Sequence, residues 1–412
     1  MTSVLPPILL GADLNCYHMA RAFYEAYGVC ATVIGQRALP ITATAHCLHF
    51  HAVPDLADES FTVSLLQKIA NAQPPAPKRL VIGCTDAYVQ TLARHRAELA
   101  PDYLLPYADA NLLERLTDKA SFAALCRAYD LPHPQSLFFH FGQPLPTPPF
   151  PYPLILKPAD SAAYFAHPFA GMRKVYLIRS EAALRQTLDR IFAAGYSKSM
   201  ILQQYLPGGD DASYVFTTYS DRTGKVAAAC FGQVLLEEHT PRGTGNPVAI
   251  LTRPTPPFLY DRVVTLLNTY GYRGFANFDL RYDAQKKTYY VLELNARQGR
   301  SNYYLCAAGL NPARLLAEDL IFLQKLPKRS PKIGVYWRCV PDRAVFRHLP
   351  KATVRQLKCA KRAGLAANSF DAPYDLRHNL RRRFYLFLHK VRYLQKYRRH
   401  ADTEVARFAE QT

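Results

Sequence analysis

The sequence predicts an α/β protein in three parts: an N-terminal parallel α/β domain, a central α+β domain built on paired strands, and a basic, partly helical C-terminal region. Three observations carry this. Short apolar runs alternate with stretches of helical spacing through the N-terminal quarter, the pattern of strands joined by crossover helices. Gly274 to Ser301 reads as two strands joined by a polar turn. The charge is lopsided: of a net +19, residues 325–412 carry +16, from 22 Lys and Arg against 6 Asp and Glu.

Length and composition bound the rest. A chain of 412 residues can bury a large core, and two or three domains are expected. With 49% hydrophobic residues it is not a disordered chain. Its nine cysteines are scattered, with no C-x-x-C pair and no zinc spacing, so they read as reduced thiols of a cytosolic protein. The N-terminus lacks the pattern of a signal peptide. No uninterrupted apolar run approaches the length of a spanning helix. The basic C-terminal excess implies an acidic partner: nucleic acid, a membrane surface or a polyphosphate substrate.

Taken in order, Pro7 to Gly11 is a short strand and Tyr17 to Tyr27 a helix. Ala31 to Gly35 is a strand, Phe61 to Ala72 a helix, Leu80 to Gly83 a strand and Ala87 to Leu99 a helix. Asp13, Asn15 and Asp86 then follow strand ends, where open α/β sheets bind ligands; they read equally well as helix N-caps. Asn111 to Asp130 is helical and stops at Leu-Pro-His-Pro. After a proline-rich link comes Pro153-Leu-Ile-Leu-Lys157, an apolar strand closed by a lysine whose charge needs a partner. Met200 to Leu206 is a strand running into a Pro-Gly turn, and Ser213 to Thr218 and Val226 to Phe231 are antiparallel strands. Arg242 to Asn246 reads as a plain polar loop. The stretch Arg377 to Arg399 has apolar residues at Leu380, Phe384, Phe387, Val391 and Leu394, one helical stripe among many arginines and lysines. Packing of that stripe on the body of the protein is the first reading and a membrane-surface helix the second.

The Gly274–Ser301 unit carries the chemistry. Asp279 lies in its first strand, and Glu293 and Asn295, two apart and so on one face, lie in its second. Two carboxylates and an amide carbonyl suit a hard cation such as Mg2+. Arg297 and Arg300 follow at once, and arginine forks beside such a site suit phosphate transfer. Singly, each residue has a plainer reading as a solvated edge residue or a surface ion pair. Together, after an apolar Tyr-Val-Leu run, they point to a site.

These residues carry a resemblance. Glu293-Leu-Asn295-Ala-Arg297-Gln-Gly-Arg300-Ser resembles the E-x-N-x-R signature of the ATP-grasp carboxylate–amine ligases, and Gly274-Phe-Ala-Asn277-Phe-Asp279 resembles the metal-ligand strand that precedes it. The resemblance is closer to one branch, the D-aspartate ligases of peptidoglycan precursor synthesis, and runs from Pro7 to about Asp319. It implies a pre-ATP-grasp α/β domain at 1–108, a two-lobed ATP-grasp domain at 109–322 and a basic region at 323–412.

It also implies the cofactors ATP and Mg2+, with metal ligands Asp279, Glu293 and Asn295. Lys119 and Lys157 would meet phosphate, and Gln203, Gln204, Tyr205 and Leu206 would form the adenine hinge. Asp211, or its neighbour Asp210, would meet the ribose, and Arg297 and Arg300 would act on developing charge. The phosphate-covering loop, Asp160 to Lys174, departs from the glycine-rich pattern of many relatives and has only Gly171. The branch activates the β-carboxylate of D-aspartate as an acyl phosphate and joins it to the lysine ε-amine of a UDP-linked muramyl pentapeptide. The partners implied are that amino acid and that muropeptide, without nucleic acid, in the cytoplasm, with peripheral contact to an anionic membrane left open. A ligase for another amino acid or amine would carry the same motifs. A nucleic-acid or membrane-binding protein acting through the basic tail is the rival from another class, and the tail has no RNA-recognition signature or zinc-finger spacing.

Overall fold

The computed structural model describes residues 4–72, 77–240 and 243–399. Its first sheet is parallel throughout: β1 (Ile8–Leu10), β2 (Ala31–Gly35), β3 (Leu48–Ala52), β4 (Arg79–Gly83) and β5 (Tyr103–Leu104), in the order β3-β2-β1-β4-β5. The order reverses at β1, so the loops after β1 and β4 open on a switch point, where such sheets place ligands. Sequence reading passed over β3, because its Leu-His-Phe-His-Ala run exposes both histidines and lacks an apolar signal.

A four-stranded sheet follows: β6 (Ser136–Phe139), β7 (Leu154–Pro158), β8 (Tyr176–Ile178) and β9 (Met200–Gln204), ordered β6-β9-β7-β8. The third and largest sheet holds β10 (Ser213–Ser220), β11 (Val226–Glu237), β12 (Pro247–Arg253), β13 (Gly274–Asp283), β14 (Thr288–Asn295), β15 (Tyr336–Arg338) and β16 (Ala366–Asn368). It runs β14-β13-β10-β11-β12-β15-β16. The paired strands expected at Gly274–Ser301 are β13 and β14, antiparallel, with Asp279 opposite Glu293. Gly274 opens β13 at φ +91, and a Cβ there would lie 2.0 Å from the carbonyl oxygen of Pro106. Only glycine lets the sheet press so closely on the end of the N-terminal unit.

The helix expected over Asn111 to Asp130 is two helices, Ala110–Thr117 and Lys119–Ala128. Asp118 breaks it, taking extended backbone and accepting from the Ser121 N–H as the cap of the second. Asp13 likewise caps the Leu14–Tyr27 helix.

The last described helix, Leu380–Arg399, departs from the first reading. Of the apolar stripe only Leu394 packs on the body, partly buried against the core. Leu380, Phe384 and Phe387 are 76%, 64% and 62% exposed and Val391 36%, whereas Arg382, Leu386, Tyr393 and Tyr397 are buried. The inward face combines apolar packing of Leu386, Tyr393 and Tyr397 in the core with a buried polar network. Arg382 pairs with buried Asp375 at 3.1 Å, donates to the Ile41 carbonyl at 2.6 Å and lies 4.5 Å over the Tyr17 ring. Asp375 in turn accepts from the Tyr17 hydroxyl at 2.7 Å. That network holds the inward face together with its apolar residues.

Candidate active site

The four-stranded and seven-stranded sheets face each other across a cleft lined by Lys157, Gln203, Tyr205, Leu206, Asp279 and Glu293, among others. At its base, β7 brings Lys157 beside β9. The Lys157 ammonium donates to Gln203 Oε1 at 3.1 Å, and Gln203 Nε2 donates to Ser136 Oγ at 2.9 Å. Gln204 accepts from the Gln135 N–H at 3.3 Å and borders the cleft, followed by Tyr205 and Leu206 in the connection to β10. Lys119, first residue of its helix, reaches the same cleft and donates to the carbonyls of Pro158 and Ala159 at 2.9 and 3.1 Å. That contact ties the helix entering the central domain to the strand that ends in Lys157.

At the other side stand the carboxylates of β13 and β14. Asp279 and Glu293 hydrogen-bond each other. Asp279 also accepts from Asn295 Nδ2 at 3.0 Å and Asn277 Nδ2 at 3.2 Å. Burial first, and then the charge of Glu293, raises the Asp279 carboxyl to about 8. Glu293 is itself held below the usual carboxylate range: burial opposes this, but Lys157, Lys174 and Lys119 together outweigh it. Burial lowers the Lys157 ammonium to about 8, with Glu293 pulling the other way. Two buried carboxyls this close disfavour ionising together, and a cation beside them would relieve that repulsion. The two carboxylates supply oxygen donors that fit Mg2+, which keeps its remaining positions for water or phosphate; Asn295 turns its amide nitrogen to Asp279 and its carbonyl oxygen to Arg297. Among the described residues no three His, Cys, Asp or Glu side chains gather where they could hold a metal ion together.

Arg297 and Arg300 leave the end of β14 toward the N-terminal sheet. Arg297 forks onto Asp86, with contacts of 2.8 and 2.9 Å, and its Nη1 donates to the Gln298 carbonyl at 3.1 Å. Asp86 is thus the partner of an arginine, in the first turn of a helix that Thr85 caps. Arg300 lies 3.9 Å from Glu238, in the field of Asp13, and its Nη1 is buried with no hydrogen-bond partner among the described residues. Asn15 joins the same wall, donating to the carbonyls of Cys84 and Gln298.

No family model matches the chain. It is 35% identical over 326 residues to the D-aspartate ligase of Enterococcus faecium, an alignment covering 77% of this chain and 76% of that protein. The chain belongs to the D-aspartate ligase family. Solved structures agree on the fold. The L-amino acid ligase of Bacillus licheniformis superposes with a TM-score of 0.56 at 15% identity, over 77% of this chain and 75% of that one. The biotin carboxylase domain of the Hydrogenobacter thermophilus 2-oxoglutarate carboxylase, solved with MgADP and bicarbonate, gives 0.58 at 13%, over 81% and 74%. The architecture is therefore ATP-grasp, and the chain is an ATP-dependent carboxylate–amine ligase.

Within this D-aspartate ligase family member, the structure draws Lys119, Lys157, Gln203, Gln204, Tyr205, Leu206, Asp279 and Glu293 to one cleft. Asn295 does not line it but hydrogen-bonds Asp279 at its edge, and Arg297 and Arg300 stand beyond, on the side of the N-terminal sheet. Asp211 is not brought in: it is exposed and does not line the cleft. Asp210 is turned away, accepting from the Glu237 N–H at 2.8 Å and from His239 Nε2 at 2.7 Å. The acid that faces the cleft at this end is Glu237, at the end of β11. Burial raises its carboxyl above the usual range, and Asp210 adds to the shift. Sequence reading missed Glu237 because it closes an ordinary apolar strand with no motif around it. It also missed Arg281, whose Nε donates to the Leu206 carbonyl at 2.8 Å and whose Nη2 donates to that of Gly208. Its position two residues past Asp279, on the same face of β13, was the available signal. In the Arg242–Asn246 loop, Arg242 lies outside the described residues, while Thr244 and Gly245 border the cleft. In the Asp160–Lys174 segment, Ser161 and Lys174 do so.

Proposed function

We propose that this ligase activates the β-carboxylate of D-aspartate with ATP, as an acyl phosphate, and transfers it to the lysine ε-amine of a UDP-linked muramyl pentapeptide, in the cytoplasm. The observation that carries the reading is the Asp279–Glu293 pair set under Lys119, Lys157 and Lys174 in one cleft. In this proposal Gln203, Gln204, Tyr205 and Leu206 receive the adenine, and Glu237, rather than Asp211, faces the ribose. Lys119 and Lys157 bind phosphate oxygens; Lys157, poised near about 8, gains full charge as an anion enters beside it. Asp279, Glu293 and Asn295 would hold Mg2+, which when bound neutralises phosphate charge.

Arg297, fixed by Asp86, stabilises negative charge on the carboxylate being activated and on the tetrahedral centre that follows. The unpartnered Nη1 of Arg300 is offered to the α-carboxylate of the amino acid. No side-chain nucleophile is required. The division of the chain at residues 108 and 322 belongs to the same proposal.

The test is ATP turnover with D-aspartate and other amino acids, with and without the muropeptide, using D-aspartate labelled with 18O in its side-chain carboxylate. The expected result is acceptor-dependent product with label in the released phosphate. Unlabelled phosphate rules out direct carboxylate activation, and turnover on a different amino acid alone reassigns the substrate.

A further inference from the structure

Nine large hydrophobic side chains are exposed among the described residues, and four of them lie on one helix. Leu380, Phe384, Phe387 and Val391 recur at intervals of four, three and four, which aligns them along a single outward stripe. At 3.6 residues per turn, Arg383 and Lys390 fall along one side of the stripe and Arg381, Arg392 and Arg399 along the other, with Arg398 at its end. All six cations are exposed and make no ion pair among the described residues. The helix contains no Asp or Glu. Its opposite face is anchored: Arg382 on Asp375, Lys396 on Glu238 at 3.2 Å, and the Tyr397 hydroxyl donating to the Glu237 carbonyl at 2.7 Å.

We propose that the Leu380–Arg399 helix docks this ligase on an anionic bilayer surface, lying in the plane of the interface. An apolar row flanked by long cations matches that environment: the row enters the acyl boundary while the arginine and lysine stems extend to lipid phosphates. Charge decides against the other occupants. A second copy meeting through this stripe would set six cations against six, with no acid on the helix to relieve them. A nucleic acid would meet the apolar row at the centre of the patch and reach cations only at its margins, the reverse of a phosphate-binding surface. Because Glu237 lines the nucleotide cleft and its carbonyl is held by Tyr397, the docked helix is continuous with the cleft wall. The surface reading stands independently of the substrate proposed above, since it uses neither ATP nor amino acid.

The experiment is sedimentation of the full chain with phosphatidylcholine–phosphatidylglycerol vesicles and with phosphatidylcholine alone, at low and physiological salt. Binding to the anionic vesicles only, weakened by salt, is expected. Phe384→Ser with Phe387→Ser should cost roughly tenfold or more in vesicle affinity by removing apolar burial. Arg381→Glu with Arg383→Glu should cost at least about thirtyfold at low salt, given about 1 kcal/mol per basic residue near a charged bilayer and the added repulsion of two glutamates. Both variants change exposed side chains only, so unchanged thermal unfolding confirms that each is folded. Absence of wild-type binding to the anionic vesicles overturns the proposal, as does binding by both variants that equals the wild type's. A wild-type dimer in sedimentation velocity that Phe384→Ser with Phe387→Ser dissociates assigns the stripe to a second copy and overturns it too. A raised KM for the muropeptide with vesicle binding intact in the arginine variant reassigns those charges to the acceptor.

Discussion

The β13–β14 pair and the Leu380–Arg399 helix both concentrate charge among apolar residues, and they use it in opposite ways. In the strand pair the charges are drawn inward. Asp279 and Glu293 face Lys157, and each perturbs the other: one carboxyl rises to about 8, its partner falls, and the lysine falls to about 8. In the helix a single arginine is drawn inward, and its neighbours on either side, Arg381 and Arg383, stay in water while phenylalanines are left exposed. A buried charge is kept where partners compensate it, and removing one partner is then costly. In the first region compensated charge lines the cleft proposed as the reactive site; in the second it helps hold an orientation.

The largest expected effect tests the reactive half of that contrast. Glu293→Gln removes one charge from the pair while keeping its shape, and turnover at saturating Mg2+ should fall roughly 10²–10³-fold. It should also depress Lys157 further, since Glu293 is the main charge holding that ammonium up. Near-normal turnover in this variant would remove Glu293 from the machinery and, with it, the distinction between the two regions.

The structural half is tested by Arg382→Ala. Its side chain and that of Asp375 are 0% and 1% exposed, so the substitution strands a buried carboxylate and should destabilise by about 3–5 kcal/mol. Arg381→Ala and Arg383→Ala, one residue to either side, should each stay within about 0.5 kcal/mol. Denaturant unfolding of the three variants separates them. Three similar values would mean that the helix is held by its apolar residues after all.

The smallest effect concerns His389, which packs on the inner face of the helix between Phe370 and Tyr393. Burial first, and then Lys396 and Arg382, lower its imidazole from an ordinary value of about 6.5 to about 4. Between those values the unfolded chain binds the extra proton, so stability rises with pH. The contribution of neutral His389 is complete above about pH 6.5 and is lost as pH falls toward 4. Melting temperatures of the wild type should therefore drop from pH 7 to pH 5, and His389→Gln should flatten that drop. An unchanged slope would show that this histidine is not held neutral under the helix.

Much of the fold was legible because its signals are local. Alternating runs placed β1, β2 and β4, and the polar turn at Asp283–Lys287 placed β13 against β14. Lys157 was legible because a lysine ending an apolar strand has few other uses, and the E-x-N-x-R run marked Glu293, Asn295 and Arg297 together. Other residues had no such marker. Glu237 and Arg281 face the cleft only because β11 and β13 are brought across from β7 and β9, and nothing beside them in the chain announces it. Asp210 and Asp211 are adjacent in the turn after β9, yet one is tied to His239 and the other is exposed.

By itself, then, the sequence determined much of the element order, the family and the residue types proposed for the metal and phosphate sites. Each follows from periodicity or from a motif confined to a few consecutive positions. Only the tertiary structure decided which acid faces the cleft, which arginine is clamped by Asp86, and which face of the last helix turns to solvent. Those outcomes depend on partners far away in the chain: Asp86 lies 211 residues from Arg297, and Ile41 lies 341 residues from Arg382. The energy of a buried charge is set by the groups that surround it, and hydrophobic spacing along a helix carries no information about them.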